Sequence, residues 1–545
     1  MLPVSATGKS RLENPRVSMG KTPQNVLFIT ADQWRGECLS VLGHPIVKTP
    51  HLDALAAEGT LFRRHYAQAT PCGPSRASLF TGLYLQNHRS VMNGTPLDDR
   101  HANIARETRK AGYDPALFGY TDIGADPRGR EIDDPELRTR GGLLPGLTPV
   151  VRLDADFGPW MEALRQRGYE VDDDPKSVFR PNRDGIDPAR GRTFAPTWYR
   201  AEDSGSAYLT DEAIAYISAQ DATPWFAHLS YRSPHPPFIV PEPYNALYDA
   251  DEMPLPTRHA TPEEEAKQHP WARFYLSNQL DSPYTHGVSL KDYLEIDEPE
   301  IRQIKATYFA MITEMDAQIG RLVAHLKETG AWDRTLIIFT SDHGEHLGDH
   351  WMMAKFSYYE QTFSVPLIIR DPGATGHPGR GKTVDAFSES IDVMPTILEW
   401  LGLEIPVACD GESLLPFCQG QDVQGWRTEA HAGFDFRHFP GLDGGRALGL
   451  TPDQCTANLI WDRRYKYVHF TGLPSLFFDL ENDPHEFHDL AADPAYHGLV
   501  LEYAQKMLSW RMNHDERTLT NTRLGPGGMV EHRPHRRRRN ETTAE

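Results

Sequence analysis

Apolar residues in this chain follow two rhythms. In NVLFITAD, at 25–32, Val26 to Ile29 form an unbroken apolar run, the pattern of a strand buried on both faces of a parallel sheet. TLIIFTSD at 335–342, PALFGYTD at 115–122, PWFAHLSY at 224–231 and VPLIIRDP at 365–372 read as further strands. Elsewhere the spacing is helical. Across 300–330, Ile301, Ile304, Tyr308, Met311, Met315, Ile319 and Leu322 recur three or four residues apart, which predicts one long helix with Gly330 as its C-cap. DVMPTILEWLG at 392–402 predicts another helix, and the glycines of 370–384 predict a loop. Strands alternating with helices give the α/β class, with a large, mostly parallel sheet sandwiched by helices.

The rhythm changes after about residue 430. ANLIWDRRYKYVHF and SLFFDLENDPHEFHDL read as antiparallel strands, and HGLVLEYAQKMLSWRM as a helix. The expected organisation is an N-terminal arm at 1–23, a catalytic domain at 24–430, a small α+β domain at 431–515 and a polar, partly basic tail at 516–545. The tail ends EHRPHRRRRNETTAE, a charge block of the kind that stays solvated and disordered.

Charge narrows the possible partners. The 56 basic and 76 acidic residues leave a net charge of −20, which argues against nucleic-acid binding. Any anionic ligand must therefore meet its own local positive charge. No run approaches the roughly 20 apolar residues that span a bilayer, and the N-terminus lacks the apolar core of a signal peptide. The expectation is a cytoplasmic protein without membrane contact. Cys38, Cys72, Cys409, Cys418 and Cys455 are odd in number and lack a C-x-x-C pair, so they predict neither a disulfide framework nor a zinc–thiolate site.

Ligands of open parallel sheets bind beyond the carboxyl ends of the strands. Here those ends carry Asp32-Gln33, Asp342-His343, Tyr120-Thr121-Asp122 and, a little further on, Ser233-Pro234-His235. Carboxylate and amide oxygens with one imidazole suit Ca²⁺, Mg²⁺ or Mn²⁺ better than a soft ion. HGEHLGDH at 343–350 lacks the H-E-x-x-H order of zinc proteases, so His346 and His350 read as surface or loop histidines. By spacing alone Lys355 reads as a surface lysine.

One further stretch gives these residues a common purpose. Cys72-Gly73-Pro74-Ser75-Arg76, followed by Thr81-Gly82, resembles the C-x-P-S-R-x-x-x-x-T-G signature of the type I sulfatases of the alkaline phosphatase superfamily. The likeness extends from Asn25 to about Glu360, and the C-terminal unit fits it too. It implies an alkaline phosphatase-like fold and oxidation of Cys72 to formylglycine by a formylglycine-generating enzyme, the hydrated aldehyde being the nucleophile. It also implies one divalent metal ion, Ca²⁺ or Mn²⁺, held by Asp32, Gln33, Asp342, His343 and residue 72. Lys355, in MMAKFSYYE, would contact the substrate oxyanion or leaving group, and His235, in SPHPPF, would stand beside the leaving oxygen. Either would donate the proton to that oxygen. Arg76 would hold the nucleophile's loop, and Ser75 would cap a helix beginning near Arg76.

The chain departs from the family pattern in informative places. Asp32-Gln33 stands where Asp-Asp is usual, and Asp342-His343 where many relatives have Asp-Asn. Gly119-Tyr120-Thr121-Asp122 replaces G-K-x-H. With Asn93 and Tyr120 as substrate-binding residues, this resembles the branch of phosphonate monoester hydrolases and related arylsulfatases. Asp122 then takes the place of the histidine that accepts the proton when the ester is released, assisted by His235. The leading expectation is a sulfuric ester hydrolase of arylsulfatase type with cross-activity on phosphonate monoesters and phosphodiesters. The alternative is a phosphonate monoester or phosphodiester hydrolase with secondary sulfatase activity. A non-catalytic metal- or anion-binding protein is a third reading, and a thiol enzyme a fourth, although the motif shows no base beside Cys72. The expected partners are a small anionic sulfate or phosphonate ester, the maturation enzyme and further copies of the chain in a homo-oligomer.

Overall fold

A computed structural model of the chain describes residues 24–531, apart from 155, 221–222, 279–282, 286–287, 375 and 438–443. The expected arm at 1–23 and the arginine run of the tail lie outside the described residues. In chain order the strands of the two principal sheets are β1 (Asn25–Asp32), β2 (Thr60–Tyr66), β3 (Ala69–Thr70), β4 (Ala116–Gly119), β5 (Thr148–Arg152), β6 (Phe226–Pro234), β7 (Thr335–Ser341), β8 (Leu367–Arg370), β9 (Lys382–Glu389), β10 (Ala430–Asp435), β11 (Thr456–Trp461), β12 (Tyr465–Phe470) and β13 (Leu476–Asp479).

The large sheet has eight strands in the order β9-β2-β8-β7-β1-β6-β4-β5. Its neighbours pair in parallel, except that β8 runs antiparallel to both β2 and β7. The apolar run of β1 explains its central place, because its side chains feed two cores. Leu27 and Ile29 pack on one face with Met315 and Ile319 of the long helix. Val26 and Phe28 pack on the other with Phe80 and Ile397. The helices that matter below are α1 (Cys72–Thr81), α2 (Gly205–Ser218), α3 (Glu298–Glu328), α4 (Val393–Leu401) and α5 (His497–Asn513). The Asp297 side chain caps the start of α3 by accepting from Glu300 N, and Gly330 follows its end at φ 71°. The α/β expectation holds.

The second sheet has the order β13-β12-β11-β10-β3. Its C-terminal strands are antiparallel, as the sequence predicts, but β3 joins from the N-terminal half and pairs in parallel with β10. The tail begins with order where coil was expected: Thr522–Gly525 pairs with Gly528–Glu531. Apolar residues flanking Gly525-Pro526-Gly527-Gly528 are a hairpin signal that the surrounding charge obscured. Among the described residues, no helix is long and apolar enough to cross a membrane.

Candidate functional site

Register places the chemistry. β1 and β7 run side by side with Ala31 opposite Ser341, so their carboxyl ends deliver Asp32 and Asp342-His343 together. β3 leads directly into α1, whose first residue is Cys72. One donor atom from each of Asp32, Cys72, Asp342 and His343 lies within 4.8 Å of the others, and all four residues are buried. His343 Nδ1 is 2.9 Å from Gly344 O, and Nε2 is 3.3 Å from Cys72 Sγ. Donation of the Nδ1 proton to that carbonyl leaves Nε2 as the free ligand nitrogen. Two carboxylates, an imidazole nitrogen and the side chain of residue 72 thus fit a divalent cation.

Arg76 stands one turn along α1 and is 1% exposed. Its Nε donates to Asp342 Oδ2 at 2.8 Å, and its terminal nitrogens reach Asp32 Oδ2 at 3.3 Å and Ser230 Oγ at 2.8 Å. The guanidinium lies 4.4 Å from the centre of the Tyr120 ring, and the Tyr120 hydroxyl donates to Asp32 Oδ2. Arg76 therefore fixes the two carboxylates relative to α1. Ser75 differs from expectation. The helix begins three residues earlier, so Ser75 lies inside it and donates its hydroxyl to Asp342 O. The N-terminal cap comes instead from Asn93, whose Oδ1 accepts Gly73 N at 2.8 Å.

Lys355 is buried within the site rather than on the surface. Its Nζ donates to Gln33 Oε1 at 2.6 Å and lies 4.0 Å from Asp32 Oδ1. The Gln33 amide, expected to ligate metal, thus accepts from Lys355 and passes its NH₂ to Glu345. Glu345 also accepts Leu347 N at 2.8 Å and Ala354 N at 2.7 Å, which shapes the loop that carries Lys355. Sequence reasoning missed Glu345, although it stands in the HGEHLGDH stretch, where attention fell on the histidines. His346 and His350 are not surface residues, since both are fully buried. His346 Nε2 is 2.7 Å from Ser357 Oγ, and His350 Nδ1 is 2.8 Å from Glu265 Oε1. Both hold the loop and neither joins the donor cluster.

Burial and charge then set the protonation states. Burial alone would raise Asp32, but His235, Lys355, Arg76 and His343 outweigh it and hold the carboxyl well below its usual range. Burial opposes the Lys355 charge, yet Cys72, Asp32 and Asp342 keep its pKa above the ordinary value. Burial, followed by the Lys355 charge, pushes His235 well down, and its Nδ1 is 2.6 Å from Pro236 O. Burial raises Asp122 to about 6, Arg76 opposing and Asp32 adding to the rise. Burial, together with the Asp32 charge, drives the Cys72 thiol far up. His343 does stand beside Cys72, contrary to the expectation of no neighbouring base. Burial lowers its pKa, so the pair is a neutral thiol and a neutral imidazole, not the thiolate that nucleophilic chemistry needs.

With this geometry in hand, comparison with known proteins is specific. The family model described as Sulfatase matches residues 24–403, and that of the N-sulphoglucosamine sulphohydrolase C-terminal region matches 348–513. The multifunctional alkaline phosphatase superfamily protein PehA of Trinickia caryophylli is 46% identical over 514 residues, covering 93% of this chain and 99% of the relative. The crystal structure of the phosphonate monoester hydrolase of Agrobacterium radiobacter superposes with a TM-score of 0.88 at 43% identity, covering 94% of this chain and 100% of that one. An arylsulfatase of Clostridium perfringens is more distant, 28% identical over 496 residues, covering 89% of this chain and 93% of the relative. The chain is a hydrolase that belongs to the sulfatase family, within the alkaline phosphatase superfamily, on the branch of phosphonate monoester hydrolases and related arylsulfatases.

Proposed function

We propose that the protein is a metal-dependent hydrolase of phosphonate monoesters and phosphodiesters, with sulfate-ester hydrolysis as its secondary activity. This reverses the order expected from the sequence. The observation that carries it is full-length likeness at 43% identity to a phosphonate monoester hydrolase, against 28% to an arylsulfatase.

Asp32, Asp342, His343 and residue 72 would hold the cation, Ca²⁺ or Mn²⁺, with the Gln33 amide at their edge. Bound there, the ion supplies charge to a non-bridging substrate oxygen and acidifies a neighbouring hydroxyl. Formylglycine at position 72, made by a formylglycine-generating enzyme, supplies a geminal diol: one hydroxyl to attack and a second through which the ester is released. The raised thiol supports this reading, because unmodified Cys72 is a poor nucleophile at neutral pH. Arg76 keeps the ligand carboxylates in place. Asn93, which caps α1, and Tyr120 contact substrate oxygens. Lys355 carries the charge that neutralises the substrate and is the proton donor to the leaving oxygen. Neutral His235, its Nδ1 proton given to Pro236 O, offers a lone pair at Nε2 and accepts rather than donates. Asp122 is the main base for release. The chain works as a homo-oligomer in the cytoplasm.

Two measurements test this together. The proteolytic peptide containing residue 72 should have exchanged sulfur and two hydrogens for one oxygen. The same preparation should show a higher kcat/KM for an aryl phosphonate monoester than for the corresponding aryl sulfate. A sulfate preference of about tenfold, roughly 1.4 kcal/mol of transition-state stabilisation, would return the arylsulfatase reading to first place. An intact thiol in protein from a host with the maturation enzyme would refute the nucleophile.

A further inference from the structure

Beside the reaction centre lies a cavity of about 90 Å³, lined by Tyr120 and His235 on the side of the site, by aromatic residues including Phe157 and Phe179, and by Glu314, whose carboxyl accepts from Ser204 Oγ and is raised by burial to about 7. Arg232 also lines it. The Arg232 guanidinium sits 5.4 Å from the Phe157 ring centre and 5.7 Å from that of Phe179. One terminal nitrogen donates to Pro236 O at 3.1 Å, while Nε is buried without a hydrogen-bond partner. Among the described residues no carboxylate pairs with it. Arg76 and Lys355 are different, since the acids of the metal cluster already face them.

An arginine in an aromatic wall with no counter-ion is costly, and an anionic ligand group would recover much of that cost. The reacting phosphonate already has Lys355 and the cation-binding cluster to meet its charge. We propose that Arg232 recognises a second anionic group, a carboxylate or phosphate, on the alcohol arm of the substrate, whose apolar body fills the aromatic cavity. The proposal rests on the hydrolase reading above and narrows it to alcohols that bear an anion of their own. In a chain of net charge −20, such an alcohol needs a dedicated cation at its docking point.

The test compares the phenyl and 4-carboxyphenyl monoesters of one phosphonic acid, in the wild type and in Arg232→Met and Arg232→Lys. Comparing variants cancels the difference in intrinsic reactivity of the two esters. The ratio of kcat/KM, carboxyphenyl over phenyl, should fall by about tenfold or more in Arg232→Met, as expected for a lost hydrogen bond to a charged group, and only partly in Arg232→Lys. A ratio unchanged by Arg232→Met overturns the proposal, including the case in which both esters slow equally because Arg232 serves the reacting group. Calorimetric binding of 4-hydroxybenzoate and phenol requires no turnover. Preferential binding of the acid, lost in Arg232→Met, sustains the pocket even if neither ester is hydrolysed, an outcome that would sink the hydrolase reading alone. Equal binding of both alcohols overturns the pocket whatever the kinetics show.

Discussion

In the proposed mechanism, Asp122 is the residue on which release of the product turns. It stands at a φ of 52°, beyond the end of β4, half-buried beside the metal cluster. None of the described residues donates a hydrogen bond to its carboxylate, and its Oδ1 lies close against Gly141. Burial raises it to about 6, close to the operating pH of an efficient base. A base acts in its ionised form, so kcat should rise with pH through about 6 and fall away below it. Asp122→Asn should lower kcat by ~10²- to 10⁴-fold, the usual contribution of a positioned general base, and flatten that acid limb. Steady-state turnover across the acid range checks both effects; full turnover with the limb intact would move the role to His235. The residue was visible in the sequence only through the family pattern. In isolation, Tyr120-Thr121-Asp122 is an ordinary polar strand end.

Helix α3 shows how one element can set another. Asp316 accepts His51 N at 3.1 Å and Leu52 N at 2.8 Å, so it caps the helix Pro50–Glu58 from outside. Burial raises Asp316 to about 7 and Glu314, two residues earlier in the helix, also to about 7. A carboxyl whose folded pKa lies above its unfolded value contributes stability fully below the unfolded pKa, and that contribution is lost as pH rises through about 7. Asp316→Ala should therefore cost ~2 kcal/mol at mildly acid pH, since two backbone N–H groups lose their partner. Its stability should also decline less between mildly acid and mildly alkaline pH than that of the wild type, as denaturant midpoints at both pH values would reveal. The apolar spacing of α3 was plain in the sequence, but its buried acids were not, because their partners are distant. Asp316 serves a helix more than two hundred residues away, and Glu314 accepts from Ser204, 110 residues away. The same limit hid β2. Arg63 and Arg64 interrupt its apolar run, and tertiary pairing with β8 and β9 decides the strand. Nor does an apolar run indicate strand direction, which left β8 unrecognised as antiparallel.

At the scale of the whole molecule, the sequence made the candidate metal cluster legible because Asp32, Asp342 and His343 sit at the ends of strands whose apolar runs are unmistakable. Glu345, Ser230 and Arg232 were not legible, since each acts through a partner that only the fold brings near. The change in rhythm after about residue 430 announced the antiparallel strands that follow, but not how they hold the N-terminal half. Strand β3 lies just before Cys72, and Ala69 and Thr70 pair with Gly433 and Phe434 of β10. The segment that follows α1 is tied down in the same way. Tyr84 packs edge-on against Trp510 of α5 at 4.8 Å, and Asn87 Nδ2 donates to His514 O at 2.7 Å. Nearby, Arg517 pairs with Asp410 at 2.8 Å. The C-terminal unit thus clamps the helix that begins at Cys72 at both ends. A chain cut after residue 430 would expose the edge of β3 and strip the apolar cover from Tyr84, so it should aggregate on expression and show no turnover. Co-expression of residues 431–545 as a separate chain should restore soluble, active protein, because the lost contacts are non-covalent. Soluble and active residues 1–430 alone would show that the helix beginning at Cys72 holds its position without the second sheet.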